Sequence, residues 1–308
     1  MKRVVNKIVL LVALSSYCLT GWSQNQQHIT QYMIHQPLMN FASIAANDHV
    51  NMAALYRNQW VGFDGAPSTG FFSFNSPLGT TNLHVGGMLK YDQIGANRNT
   101  GVDLGLAYRV KLSQQNYLSF ALKGGIDNTT SDYSGLYFYD DNDPEFTGSS
   151  FSVTQPNFGF SSYFFSEDYY IGFAIPAFLR NRAYAATVET FSPTEFHYFT
   201  TAGYRFKLSN DFKLGVSTFL KAVVGSPLQA DFNGQLLYKD VFGFGLSYRT
   251  SNDIAAIATI KLFDRLTFSY SYDLGISDFS RYHNNSHEIM LIYDLPKRNL
   301  LPIYSPRF

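Results

Sequence analysis

Hydrophobic and polar positions alternate with period two along most of this chain, the pattern of strands whose two faces meet different surroundings. In 102–112, Val102, Leu104, Leu106, Tyr108, Val110 and Leu112 share one face, while Asp103, Gly105, Ala107, Arg109 and Lys111 share the other. In 241–249, Phe242, Phe244, Leu246 and Tyr248 oppose Gly243, Gly245, Ser247 and Arg249. In 265–273, Leu266, Phe268, Tyr270 and Tyr272 oppose Arg265, Thr267, Ser269, Ser271 and Asp273. Each stretch has roughly the 9–11 residues that a tilted strand needs to cross a bilayer.

The pattern predicts fourteen strands, at 50–60, 68–75, 82–91, 101–112, 116–126, 153–165, 168–176, 195–208, 211–222, 228–239, 241–250, 253–262, 265–275 and 286–294. Pro156 and Pro176 interrupt the sixth and seventh. An even count suits a closed single-chain bacterial barrel. If the first strand runs outward, the links at Ser113–Gln115, Ser166–Glu167, Ser209–Asn210, Lys239–Asp240 and Phe263–Asp264 are short periplasmic turns. The long links 127–152, 177–194 and 276–285 then lie outside, and Thr250–Asp253 is the one short link expected there. Short turns on one side and long loops on the other are the asymmetry of outer-membrane barrels.

Composition decides which face is which. Of the 308 residues, 17% are aromatic and 15% charged, with 23 basic and 23 acidic side chains. A chain with zero formal charge does not bind nucleic acid through bulk positive charge. No run of about 18 apolar residues follows position 24, so no spanning helix is expected. A soluble barrel or sandwich keeps its apolar face inside. Here one face is nearly continuous Leu, Phe, Tyr and Val, and the other is Gly, Ser and Thr with scattered Arg and Lys. The aromatic side therefore reads as lipid-facing and the polar side as lumen. The lumen-lining candidates are Lys90, Arg109, Lys123, Arg205, Lys221 and Arg249, with acids such as Asp103 and Asp273 among them. Such a bore either attracts an anionic substrate or plug segment, or pairs its charges internally.

The first residues read as a cleaved signal peptide, 1–23. Lys2, Arg3 and Lys7 precede an apolar run from Ile8 to Leu19, and Gly21 and Ser23 precede the expected cut. The only cysteine, Cys18, lies in that run, and Tyr17 argues against a lipoprotein site. The mature chain then has no disulfide, thiolate metal site or cysteine nucleophile.

Catalytic signals are weak. His287–Glu288 begins like a zinc-protease motif, but Leu291 stands where the second ligand belongs. No phosphate-cradling glycine loop or nucleophile-elbow serine is present. The run Asp140, Asp141, Asn142, Asp143 and Glu145 offers oxygen ligands for calcium, yet lacks the glycine and terminal glutamate of an EF-hand, which favours a solvated loop. No cofactor, metal or catalytic residue is assigned. The segment that stands out is Leu55-Tyr56-Arg57-Asn58-Gln59-Trp60-Val61-Gly62-Phe63-Asp64-Gly65-Ala66-Pro67. Its Gly62/Gly65/Pro67 pattern permits a defined loop, making Arg57, Trp60 and Asp64 candidates for latching the rim or meeting a partner.

That segment, with Gln31-Tyr32-Met33, Tyr91-Asp92-Gln93-Ile94-Gly95, Leu106-Ala107-Tyr108-Arg109, Ser286-His287-Glu288-Ile289-Met290-Leu291 and the closing Ser305-Pro306-Arg307-Phe308, resembles the PorP/SprF family of type IX secretion in Bacteroidetes-type bacteria. Arg-Asn-Gln-Trp-Val-Gly is the specific part. The family's Asn-Pro-Ala turn is replaced here by Asn40-Phe41-Ala42, which puts the conformation of that N-terminal segment in question.

The resemblance implies a non-enzymatic outer-membrane barrel. Its expected partners are the C-terminal domain of an adhesin-like type IX substrate or a periplasmic peptidoglycan-binding lipoprotein, besides outer-membrane lipid and without nucleic acid. The expected organisation is a barrel over 50–294, with 24–49 and 295–308 in the periplasm. A passive or substrate-selective porin for small solutes is the alternative, and a membrane-embedded hydrolase the third reading.

Overall fold

The computed structural model describes residues 28–134, 150–179, 193, 196–251, 253–263, 265–276, 280–281 and 284–295. Fourteen antiparallel strands follow in chain order: β1 (Val50–Asn58), β2 (Ser68–Pro77), β3 (Leu83–Ile94), β4 (Asn97–Lys111), β5 (Tyr117–Ser131), β6 (Phe151–Phe165) and β7 (Tyr169–Ile175), then β8 (Tyr198–Lys207), β9 (Phe212–Ala222), β10 (Gln229–Tyr238), β11 (Phe242–Arg249), β12 (Asp253–Leu262), β13 (Leu266–Gly275) and β14 (Ser286–Leu295). Each pairs with its neighbours in sequence, and β14 closes the barrel on β1 from Val50↔Leu295 to Asn58↔His287.

The alternation resolves as the pattern requires. On β11, Phe242, Phe244, Leu246 and Tyr248 point outward at 51, 59, 55 and 45% exposure, while inward Arg249 is 4% exposed. An apolar exterior around a polar bore is the arrangement of a barrel embedded in lipid, where closure satisfies the backbone and every second residue meets the acyl chains.

The wall differs from expectation in two places. β3, β4 and β5 run farther than the hydropathy pattern shows, so the link after β3 is a tight hairpin at Gly95–Ala96, a second short outer link where only Thr250–Asp253 was expected to be short. Gly95 takes φ +54 there, and Asp132 N–H donates to the Ala96 carbonyl at 3.0 Å. Past the bilayer both faces meet water, so alternation fades while pairing continues: the Asn128 amide donates to Ser152 and Thr154 hydroxyls at 2.9 and 2.8 Å. β7 is short, 7 residues against 15 for β6. Pro176 follows its last residue, and the outer part of β6, including Pro156, pairs with β5 on one side only. There a proline's missing donor is tolerated.

The N-terminal segment departs further. Residues 24–49 were expected in the periplasm, yet 28–49 fold back into the bore as three 3₁₀ turns, Gln31–Met33, Gln36–Leu38 and Phe41–Ala46. Tyr32, Met33, Ile34, Phe41 and Ile44 are buried there and join the interior core with Met88, Tyr163, Phe165 and Met290. Removing this apolar area from water drives the insertion. The expected signal peptide, the acidic run from Asp140 to Glu145 and the tail from 296 to 308 lie outside the described residues.

Candidate functional site

The inserted segment is keyed to the wall at particular side chains. Asn40 caps the third turn by accepting from Ala42 N–H at 3.0 Å, and its amide donates to the carbonyls of Ser162 and Phe173 at 2.9 and 3.2 Å. Those carbonyls belong to cross-strand partners on β6 and β7, where a Cβ at Gly172 would come within 2.6 Å of the Asn40 amide nitrogen. Phe41 enters a seat made by Gly86 and Gly105, which face each other across β3 and β4. A Cβ on Gly105 would stand 2.6 Å from the Phe41 ring, so only glycine leaves the space. The turn therefore forms without the proline of the family pattern: the Asn40 cap and the Phe41 ring hold it. Farther along, the Ser119 hydroxyl donates to the Ala42 carbonyl at 2.8 Å, and Gln36 donates to the Tyr170 hydroxyl at 2.7 Å. Asn233 donates to the Tyr32 hydroxyl at 2.6 Å.

Charges in the bore are mostly paired, as the internal-pairing reading expected. Lys90 bridges Asp103 and Asp127 at 3.2 and 2.6 Å, and Lys123 joins Asp103 at 2.6 Å. Toward the short-turn end, Arg109 donates to Asp48 at 2.8 Å and to the Ala45 carbonyl at 3.0 Å. Toward the long-loop end, Arg57 binds Asp273 and Glu288 at 2.6 and 3.2 Å across the β1–β14 closure. The inserted segment completes that cluster. Thr30 and Gln31 N–H groups donate to Glu288 at 2.9 and 2.8 Å, and the Thr30 hydroxyl donates to Asp273 at 2.5 Å. Arg249 Nε donates to both oxygens of Asp231 at 3.1 Å, and its Nη2 donates to the Ile29 carbonyl at 3.3 Å. Burial, then the charges of Arg249, Lys221 and Arg57, hold the neighbouring His28 well below the usual histidine range, so its imidazole is neutral at pH 7.

The rim residues separate. Arg57 is buried in the ion cluster and acts between wall and plug. Trp60 (φ +49) and Asp64 lie in the loop after β1. That loop is tied to the one before β14 by Val61 N–H to the Asn285 carbonyl at 2.9 Å and Asn284 N–H to the Val61 carbonyl at 2.7 Å, and to Gly95 N–H through the Gly65 carbonyl at 2.9 Å. Asp64 is exposed on it. Of the six lumen candidates, Lys90, Arg109, Lys123, Lys221 and Arg249 face the bore. Arg205 is instead near the short-turn rim, donating to the Glu167 carbonyl at 2.7 Å in the β6–β7 turn. The His287–Glu288 pair divides between faces, as neighbours on a strand must: Glu288 turns inward to Arg57, and His287 bonds the Tyr270 hydroxyl at 2.6 Å.

The residues that sequence reasoning missed are those of the plug, Thr30, Gln31, Asn40 and Phe41, with the glycines receiving them. The cross-strand Gly86/Gly105 pair was the available signal.

Residues 22–293 match the family model described as type IX secretion system membrane protein PorP/SprF. No curated protein matches the chain. Among solved structures, it is similar to the Ralstonia pickettii toluene transporter TbuX at 8% identity and TM-score 0.49, covering 85% of this chain and 92% of that one. A Pseudomonas aeruginosa FadL homologue aligns at 10% identity and TM-score 0.41 (83% and 92% covered), and the KdgM porin at 10% and 0.36 (80% and 99%).

Proposed function

Because the chain belongs to the PorP/SprF family of type IX secretion system membrane proteins, we propose that this outer-membrane barrel is a non-conducting docking partner for an exported, adhesin-like protein at its long-loop end. The observation that carries the reading is the filled bore. Residues 28–49 bury in it and bond to strands around its circumference, which leaves the barrel's outer rim as its working surface. That rim is stiffened by the hydrogen bonds joining the 59–67 and 284–285 loops. The opposite end offers mainly tight turns, a smaller platform for a periplasmic lipoprotein.

Deleting the gene is expected to strand one or a few large exported proteins inside the cell while small-solute permeability stays unchanged. Normal display of every type IX substrate in the deletion strain would defeat the proposal. The porin alternative predicts steady single-channel conductance in planar bilayers from the full chain, and silence there counts against it.

A further inference from the structure

Among the described residues, five of the six predicted lumen cations have a carboxylate within ion-pair distance, and Lys221 is the exception. It is 3% exposed on the inner face of β9, one residue before the strand ends at the long-loop side. Its cross-strand partner is Gln229, and the nearest acid in register is Asp231, two residues along β10. Both oxygens of Asp231 accept from Arg249 Nε at 3.1 Å, and that pair leaves Lys221 outside bonding distance.

His28 adjoins this place. Ile29, next to it in the chain, gives its carbonyl to Arg249, and the His28 imidazole feels the charges of Arg249 and Lys221 while keeping some solvent exposure. An ammonium buried in a spanning wall, whose nearest carboxylate is engaged by another cation, is costly, and such residues mark places where a charged ligand is met. A single point charge beside a neutral imidazole suits a monoanion. The Arg249 guanidinium fork that would favour a phosphate is already engaged by Asp231 and the Ile29 carbonyl.

We propose that Lys221, with His28 beside it, is a carboxylate-binding point inside the outer end of the bore. The carboxylate belongs either to a small solute or to a polypeptide entering from the rim. The proposal rests on the bore's geometry and stands apart from the secretion role.

The test uses the full-length barrel, purified in detergent and with its lysines carrying ¹³C-methyl groups, titrated with acetate at constant ionic strength against chloride. The resonance lost in Lys221→Met is expected to shift saturably, while those of the paired Lys90 and Lys123 hardly move. If it moves no more than theirs, the proposal is overturned. A parallel measurement is the unfolding midpoint. Acetate should raise it in the wild type and not in Lys221→Met, and an equal response in both overturns the proposal as well. Repeating the titration with a short peptide bearing a free C-terminus separates the sources. Binding about tenfold tighter than acetate, lost on amidation, assigns the carboxylate to a polypeptide; equal affinity assigns it to a small solute.

Discussion

On the β3–β5 wall, Lys90, Lys123, Asp103 and Asp127 neutralise one another within 3.2 Å using strand residues alone. At the β1–β14 closure, Arg57 faces two carboxylates, Asp273 and Glu288, and the inserted segment makes up the deficit with Thr30 and Gln31. The first cluster would persist if the segment left the bore. The second would lose donors to Glu288, a side chain with no solvent exposure, and a buried acceptor stripped of its donors is expensive. The contrast teaches that the plug is part of the electrostatics that close the barrel.

The comparison breaks most sharply at Glu288. Glu288→Ala leaves Arg57 with one carboxylate, Asp273, and the plug's first turn without its acceptor, and is expected to cost about 3–5 kcal/mol, the scale for opening a buried pair. Amide exchange over residues 28–36 should rise steeply. Asp127→Ala should lower the unfolding midpoint of the barrel and leave exchange in the plug unchanged. Equal loss of plug protection in both variants would contradict the distinction.

A smaller effect is expected at the Phe41 seat. Gly105→Ala forces a Cβ against the Phe41 ring, with an overpacking cost of about 1–3 kcal/mol. Gly234→Ala, whose Cβ would meet nothing within 4 Å, serves as the matched control and should fold unchanged. Denaturant midpoints in bilayers read the difference.

The smallest effect concerns acidity. His28 is held below its ordinary value, so below a pH of about 6.5 the unfolded chain binds a proton that the folded chain resists, and stability falls with falling pH. The charges facing it are Arg57 on β1, Lys221 on β9 and Arg249 on β11, with Asp231, Asp273 and Glu288 paired behind them. Acidification from pH 7.5 to 5.5 should loosen residues 28–31 modestly, and His28→Gln should abolish that part of the response. An unchanged pH profile in His28→Gln would remove His28 as its source.

Much of the wall was legible because each strand spans two different media, and period-two alternation records that directly, as on β11. The rims were less legible. At Asn128–Thr130 both faces are polar, and Ser152 and Thr154 on the facing strand are polar as well, so pairing extends where hydropathy gives no signal. The plug was hidden for another reason. Gln31, Asn40 and Thr30 look like solvent-exposed residues in a local window, and the wall acceptors they donate to lie 122 to 258 residues away in sequence. The pairing of Lys90, Arg109, Lys123 and Arg249 follows from their inward direction, whereas the isolation of Lys221 depends on which cation reaches Asp231.

The N-terminal segment lies within the bore of the assembled barrel. A photo-crosslinking phenylalanine analogue at Tyr32, activated in intact outer membranes, tests that placement directly. Tyr32 lies 5.0 Å ring to ring from Phe219 and bonds Asn233, so the crosslinked peptide should map to β9 or β10 of the same chain. Crosslinks to periplasmic proteins, with none to those strands, would contradict it.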